Sequence, residues 1–426
     1  MSRLQSLVPR LPREVWFLEL GVVVNAVGTG MVLPFQVIYL HLVRGFSLPL
    51  SGAITATWAF TALVAGFFGG ALADRIGPRS TATVAMLTIG AGYGSFAFVE
   101  RPWQGFACTV VAGMGSGVAA PSLVGLVAVA AGRESRHIAY SVQFAATNLG
   151  FAVGAALAGA LANVHSLRSF QAIFLLDLVS CVGFAVVLLR LPSGRSARSE
   201  PGRERGSYRR LLAYRSVLAL AGLTAVLGAA GLAVYEVGLP VFAVQTAHLG
   251  TGIVGIFFLA NSVAIVLTQL PIAAALRGRR RLHGLALGAL LWALAWGLVE
   301  LAGLAPRSAA PACICAALLF AGGESLVVGI QSNLVIDLVP EEIRGRALAV
   351  VVNSFGVGLT LGPPLVGFVL GRAPLVLWPA AGGILLGAAV AFVALERAIP
   401  VSARRIPREA TPEAPEVSPR LVALEA

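Results

Sequence analysis

The chain has 426 residues, 58% of them hydrophobic and only 12% charged, with a mean hydropathy of +0.87. A soluble domain needs a more polar shell than this, so the soluble classes are excluded. The net charge of +12 is carried by arginine alone, with no lysine in the chain. No zinc-finger spacing or RNA-binding aromatic motif accompanies that charge, so no nucleic-acid partner is expected.

About 20 consecutive apolar residues cross a bilayer as a helix. Hydropathy predicts twelve such spans, at 16–40, 51–73, 80–99, 103–130, 138–162, 170–191, 216–243, 252–276, 282–303, 308–335, 346–370 and 375–396. The first follows Arg3, Arg10 and Arg13, is too long for a signal-peptide core and lacks a small-residue cleavage site. It therefore reads as a helix that stays attached. The four cysteines, Cys108, Cys181, Cys313 and Cys315, all lie in apolar runs without a metal or redox spacing and read as small buried residues. No metal site and no cofactor are expected.

Arginine placement orients the chain. Arg44, Arg101, Arg168, Arg307 and Arg372 fall on one side of the alternating spans, and all the other arginines on the opposite side. Excess positive charge marks the cytoplasmic face, so both termini and the central linker are expected there, in a multi-pass protein of the cell membrane in contact with anionic lipid. Four regions follow: a first six-helix bundle at 1–191, an Arg-rich linker at 192–215, a second bundle at 216–396, and a tail at 397–426 whose "TPEAPEVSPR" has a disordered composition.

The two halves repeat. Glu134, Arg136, Gly154 and Gly159 stand at one common offset from Glu342, Arg344, Gly362 and Gly367, and Pro34 and Pro240 fall at nearly the same offset. Internal duplication of this kind builds many secondary transporters, with the substrate site at mid-membrane between the repeats. The fold class expected is an all-α membrane protein of twelve transmembrane helices in two pseudo-symmetric six-helix bundles.

Between spans two and three, "GGALADRIGPRS" interrupts the apolar pattern. Gly70 would let helix 2 approach a neighbouring backbone closely. Asp74 can face the N-terminus of another helix, and Arg75 and Arg79 can pair across the gap between the halves. Arginine bias by itself explains neither Asp74 nor Gly77. The equivalent stretch of the second half, "PIAAALRGRRR", keeps Gly278 but has Ala275 where Asp74 would fall.

The pattern Gly70-x-x-x-Asp74-Arg75-x-Gly77-x-Arg79, with twelve spans, a long central linker and repeated halves, resembles the loop signature of the major facilitator superfamily. The resemblance implies a one-sided cytoplasmic latch that holds the outward-open state. Pro78 departs from the family, which often has a basic residue there. Gly150, Gly154 and Gly159 in span five, and Gly358, Gly362, Pro363 and Gly367 in span eleven, resemble the antiporter helix of the drug:proton exporter branch. Ordinary small-residue packing gives similar patterns. Span four has Thr109 where that branch carries a membrane arginine, which leaves a proton relay through that position without its residue.

A charge inside a span costs about 2.5–3.5 kcal/mol at the bilayer centre and marks function by default. No arginine lies deep in a span, and His41, His137, His165, His248 and His283 all sit at span ends or in loops. Proton handling therefore falls to carboxylates: Glu236 in span seven, Glu324 in span ten, Asp177 near an end of span six, and Glu19, one turn from the interface and placed to snorkel. Asn25, Gln143, Asn148, Asn261, Gln269 and Asn353 either line a cavity or bond across helices, and the sequence does not choose between these. Tyr235, Trp58 and Phe35 are potential aromatic wall.

With acids and amides but no deep basic group, the cavity suits a small neutral or cationic amphipathic compound. The expectation is a monomeric secondary transporter exporting such a compound by alternating access, driven by a proton gradient. A nutrient-importing symporter and a lipid-translocating or regulatory protein are the alternatives the fold permits. An enzyme would need a nucleophile with its base, or a metal motif, and the sequence offers neither.

Overall fold

A computed structural model describes residues 11–191 and 208–407. Residues 1–10, most of the expected linker (192–207) and the end of the tail (408–426) lie outside the described residues. Twelve long apolar helices dominate: α1 Arg13–Val43, α2 Leu48–Ile76, α3 Pro78–Phe98, α4 Pro102–Gly132, α5 Ile138–Leu161, α6 Leu167–Arg190, α7 Arg215–Thr246, α8 Thr251–Ala275, α9 Arg281–Leu304, α10 Ala309–Leu338, α11 Glu341–Arg372 and α12 Leu377–Ala398. Each coincides with one expected span to within a turn or so at its ends. The helices overrun the spans by a turn or less at most ends, because polar first and last turns continue the backbone hydrogen bonding that hydropathy does not register.

Glycine sets the tight connections. Gly77 between α2 and α3 has φ 86° and ψ 148°, and Gly132 between α4 and α5 has φ 68° and ψ 179°. Both lie in a region essentially reserved for glycine. Gly278, between α8 and α9, also has positive φ.

The repeated halves fold alike. In the first, α1 lies on α5, where Gly150 and Gly154 meet the backbone of Val23 and Val27. Similarly α2 lies on α4 through Gly113 and Gly117, and α3 on α6 through Gly90 and Gly94. In the second, α7 lies on α11 through Gly358 and Gly362, which meet Ala225 and Ala229, while α8 lies on α10 and α9 on α12. Apolar side chains gain nothing from burial against lipid tails, so close backbone contact across small residues does much of the holding.

The halves touch through α2 with α11 and α5 with α8. These contacts gather at the arginine-poor ends: Gly52 on Pro363, Gly367 on Leu48, Gly159 on Gly255, and Thr251 Oγ1 donating to the Ala162 carbonyl at 2.7 Å. Towards the arginine-rich side the same pairs part. One cleft of about 680 Å³ is lined by α1, α5 and α8, and another of about 550 Å³ by α2, α4 and α11.

Two expectations need correcting. Part of the tail is built into the fold: Gly278 N donates to the Ile406 carbonyl at 2.9 Å, Ile406 N to the Arg279 carbonyl at 3.0 Å, and Arg281 N to the Arg404 carbonyl at 2.8 Å. Of the cysteines, Cys315 is exposed while the other three are buried, since residues two apart on a helix face different directions.

Candidate substrate and coupling site

Glu236 and Glu324 come together. Glu236 sits on α7 in a widened turn, Val234–Gly238, with i→i+5 hydrogen bonding, a local geometry often found at functional positions. Glu324 projects from α10 into a cavity of about 400 Å³ shared with Thr224, Trp292, Gln331 and Phe355, and no basic side chain lines it. Their helices meet through Tyr235, next to Glu236, whose ring stacks on Phe320, one turn before Glu324. Asn261 of α8 is buried, and its Nδ2 donates to the Ala317 carbonyl of α10 at 3.3 Å.

Stacked rings back this site. Tyr235 stacks on Phe320 with centroids 4.3 Å apart, and Phe320 stacks on Trp292 at 4.4 Å. Trp292 Nε1 donates to the Phe320 carbonyl at 2.8 Å, which fixes the indole. Phe320 and Glu324 are four residues apart and share one face of α10. Hydropathy and motif alone do not single out Trp292 or Phe320. The i−4 spacing of Phe320 from the intramembrane Glu324 is the signal that could have found it.

Asp177 is not at a helix end but mid-way along α6, and it is fully buried. Both of its carboxyl oxygens and the nearby Tyr93 hydroxyl lack hydrogen-bond partners. Gly28 on α1 makes room for it, because a side chain at that position would strike Asp177 and Ser180. Glu19 does not snorkel. It is 3% exposed, with neither carboxyl oxygen partnered, and it borders the α1–α5–α8 cleft.

The polar candidates divide. Asn25 Nδ2 donates to Cys181 Sγ at 3.3 Å, a bond inside the first half. Asn148 Nδ2 donates within its own helix to the Phe144 carbonyl at 2.9 Å. Asn353 lines the α2–α4–α11 cleft together with Trp58, and Gln143 and Gln269 are half-buried. Phe35 and Tyr235 are buried.

Among the described residues, no hydrogen bond or ion pair ties the loop to the other half. Asp74 and Arg75 are exposed, and Arg79 Nη1 donates to the Leu191 carbonyl of its own half at 2.8 Å. The close approach expected at Gly70 is absent here. Nothing lies within 4 Å of a side chain placed there, whereas the adjacent Gly69 meets Val118 and Pro121 of α4. Gly150 and Gly154 serve packing within the first half, Gly358 and Gly362 within the second, and Gly159 and Gly367 the contact between halves. Helix α11 runs unbroken through Pro363 and Pro364.

Comparison with known proteins agrees with this architecture. The family model of the Major Facilitator Superfamily matches residues 18–274 and 248–424. An uncharacterised MFS-type transporter of Bacillus subtilis, YqjV, is 22% identical over 356 residues, covering 82% of this chain and 84% of the relative. The quinolone resistance protein NorA of Staphylococcus aureus is 23% identical over 180 residues, covering 42% of this chain and 46% of NorA. A crystal structure of the peptide transporter POT in complex with sulfate superposes with a TM-score of 0.76 at 16% identity, covering 92% of this chain and 96% of that one; at that identity the likeness speaks for the fold alone. With the family match spanning nearly the whole chain and the twelve helices in place, this protein belongs to the Major Facilitator Superfamily and is a membrane transporter rather than an enzyme.

Proposed function

We propose that this transporter exports a small neutral or cationic amphipathic compound in exchange for protons. The observation that carries the reading is two intramembrane acids on touching helices, Glu236 beside the Tyr235 ring that stacks on Phe320 of α10, and Glu324, one turn on from Phe320, in a cavity with no basic lining. A charge is costly inside a span, and in this reading one or both acids take up a proton and give it up when a cationic substrate, or exposure to the opposite side, favours the carboxylate. The partial match to NorA supports a drug-like substrate.

In this reading the bundles at 1–191 and 216–396 rock about the mid-membrane site as a monomer in the cell membrane. The arginine-rich side faces the cytoplasm and the inner-leaflet lipids, the 192–215 linker joins the bundles, and the proton gradient is the only energy source. The state described above, parted on the arginine-rich side, is then the inward-open one. The 70–79 loop latches that side when it closes.

The test is efflux driven by a pH gradient in vesicles loaded with ethidium. Glu236→Gln and Glu324→Gln are each expected to reduce gradient-driven flux to the level of protein-free vesicles. Full gradient-driven activity in both variants overturns the assignment, and flux of ethidium in the same direction as protons replaces export with symport.

A further inference from the structure

We propose that the cavity between the halves on the arginine-poor side binds a small polyvalent oxyanion, which bridges the halves and holds that side closed. The cavity measures about 890 Å³ and lies where the ends of α1, α7 and α11 meet the start of α2. Its polar lining is His41 and Ser47 from the first half and Gln245, Thr246, His248 and Arg372 from the second. No carboxylate lines it.

His41 and His248 stand at nearly the offset that relates Pro34 to Pro240, so each repeat brings one histidine to the same space. Nδ1 of His41 lies 2.7 Å from the Phe46 carbonyl. A carbonyl only accepts, so Nδ1 carries a proton there, and Nε2 is the nitrogen that takes one up when the ring becomes charged. His248 is held at φ 53°, a left-handed conformation that non-glycine residues seldom adopt. Arg372 is exposed and makes no ion pair among the described residues. Its guanidinium lies 3.8 Å over the Phe368 ring, which orients the group and leaves its donor edge for a ligand. Arg44, three residues beyond His41, is turned instead to the Tyr39 hydroxyl, to which it donates at 2.7 Å.

Contacts between two bodies are favoured by opposite charges, yet every ionisable group lining this cavity is a base. Their repulsion opposes closure, and a cleft lined by one sign of charge concentrates counter-ions. An oxyanion with two or more charges reverses the sign of the contact. A guanidinium fork takes two of its oxygens, and imidazolium and hydroxyl donors from the two halves serve the others. Because the partners come from both halves, the anion is held only while they are together. By linkage it favours the state parted on the arginine-rich side. Histidine gains its charge as pH falls from about 8 to about 5, so acidity tightens anion binding, whereas without the anion acidity loosens this side.

The experiment measures equilibrium binding of sulfate to the full-length protein in phosphatidylcholine nanodiscs at about pH 5.5 and about pH 8, a range that spans the charging of histidine. Saturable binding is expected, about tenfold tighter at the lower pH. His41→Gln combined with His248→Asn, in which asparagine suits the positive φ, removes most of the pH dependence and keeps the part due to Arg372. Arg372→Gln weakens binding by about tenfold or more at both pH values, and Arg372→Lys recovers part of it. Sulfate is also expected to speed the reaction of Leu63→Cys, in the α2–α4–α11 cleft, with a water-soluble thiol reagent, and to lose that effect when Arg372→Gln is added. Sulfate binding that does not saturate, or that survives both the double histidine variant and Arg372→Gln unchanged, is an adventitious ion only and overturns the proposal. Loss of sulfate binding in discs that contain phosphatidylglycerol also overturns it, since the site then belongs to a lipid headgroup. No gradient is applied, so the result is independent of the direction and the coupling ion of transport.

Discussion

The loop between α2 and α3 and the loop between α8 and α9 occupy equivalent places in the two halves, and they are held in opposite ways. In the second, Arg281 is buried and pairs with Asp337 at 2.6 Å, and His283 Nδ1 lies 2.7 Å from Glu396. The backbone of 278–281 is fastened to residues 404–406 of the chain that follows α12. In the first, Asp74 and Arg75 are exposed and make no ion pair among the described residues, and only Arg79 is tied, to the Leu191 carbonyl. The second loop is tied to its own bundle and the chain after α12, and Asp74 and Arg75 of the first stand exposed, as the proposed latch requires. The difference fits the proposal that Asp74 serves as a latch residue and that Ala275, at the equivalent place, does not.

The largest expected effect comes from breaking the committed loop. Asp337→Ala leaves Arg281 buried without its partner. The cost is expected at about 2 kcal/mol, below the roughly 3–5 of a fully buried pair because Asp337 is itself half exposed. Asp74→Ala, which removes no contact in this state, is expected to change stability by less than about 0.5 kcal/mol. Thermal unfolding of the two variants in the same detergent separates them. Equal shifts in midpoint would erase the contrast between the loops.

Much of this architecture is readable from apolar runs because in a membrane the period of burial and the length of the span are imposed by the bilayer itself. The acids Glu236 and Glu324 are readable for the same reason, since a charge in a span is expensive and stands out. What escapes is whatever depends on contacts distant in sequence. The depth of Asp177 depends on Gly28 of α1 opening room for it. The fastening of residues 404–406 to the α8–α9 loop runs through backbone groups, which any polar sequence could supply. The inertness of Gly70 in this state is invisible too, because a glycine pattern records that close approach is permitted and not when it occurs.

A smaller effect sharpens the comparison from the other side. Asp74→Asn leaves this parted state untouched and weakens whatever the acid meets when the bundles close. The parted state is expected to gain about fivefold in population, or about 1 kcal/mol, the scale of a partly exposed ion pair. A cysteine introduced at Leu63, which lines the α2–α4–α11 cleft, should then react faster with a water-soluble thiol reagent. A cysteine at Gly250, on the opposite side, should react more slowly. Unchanged rates at both positions count against the latch.

The smallest effect on stability belongs to Gly70, and it separates the two states most cleanly. Alanine at this position meets nothing within 4 Å and is a better helix former than glycine by up to about 1 kcal/mol. Gly70→Ala is therefore expected to hold or slightly raise the unfolding midpoint. Gly69→Ala pushes into Val118 and Pro121 and should lower it. If α2 closes tightly on a neighbour in the other state, Gly70→Ala slows transport while leaving the folded protein as stable as before, because its added methyl is felt only on closure. Transport at the original rate would mean that closure brings no backbone against this face of α2, and the latch would then reduce to Asp74 and the two arginines.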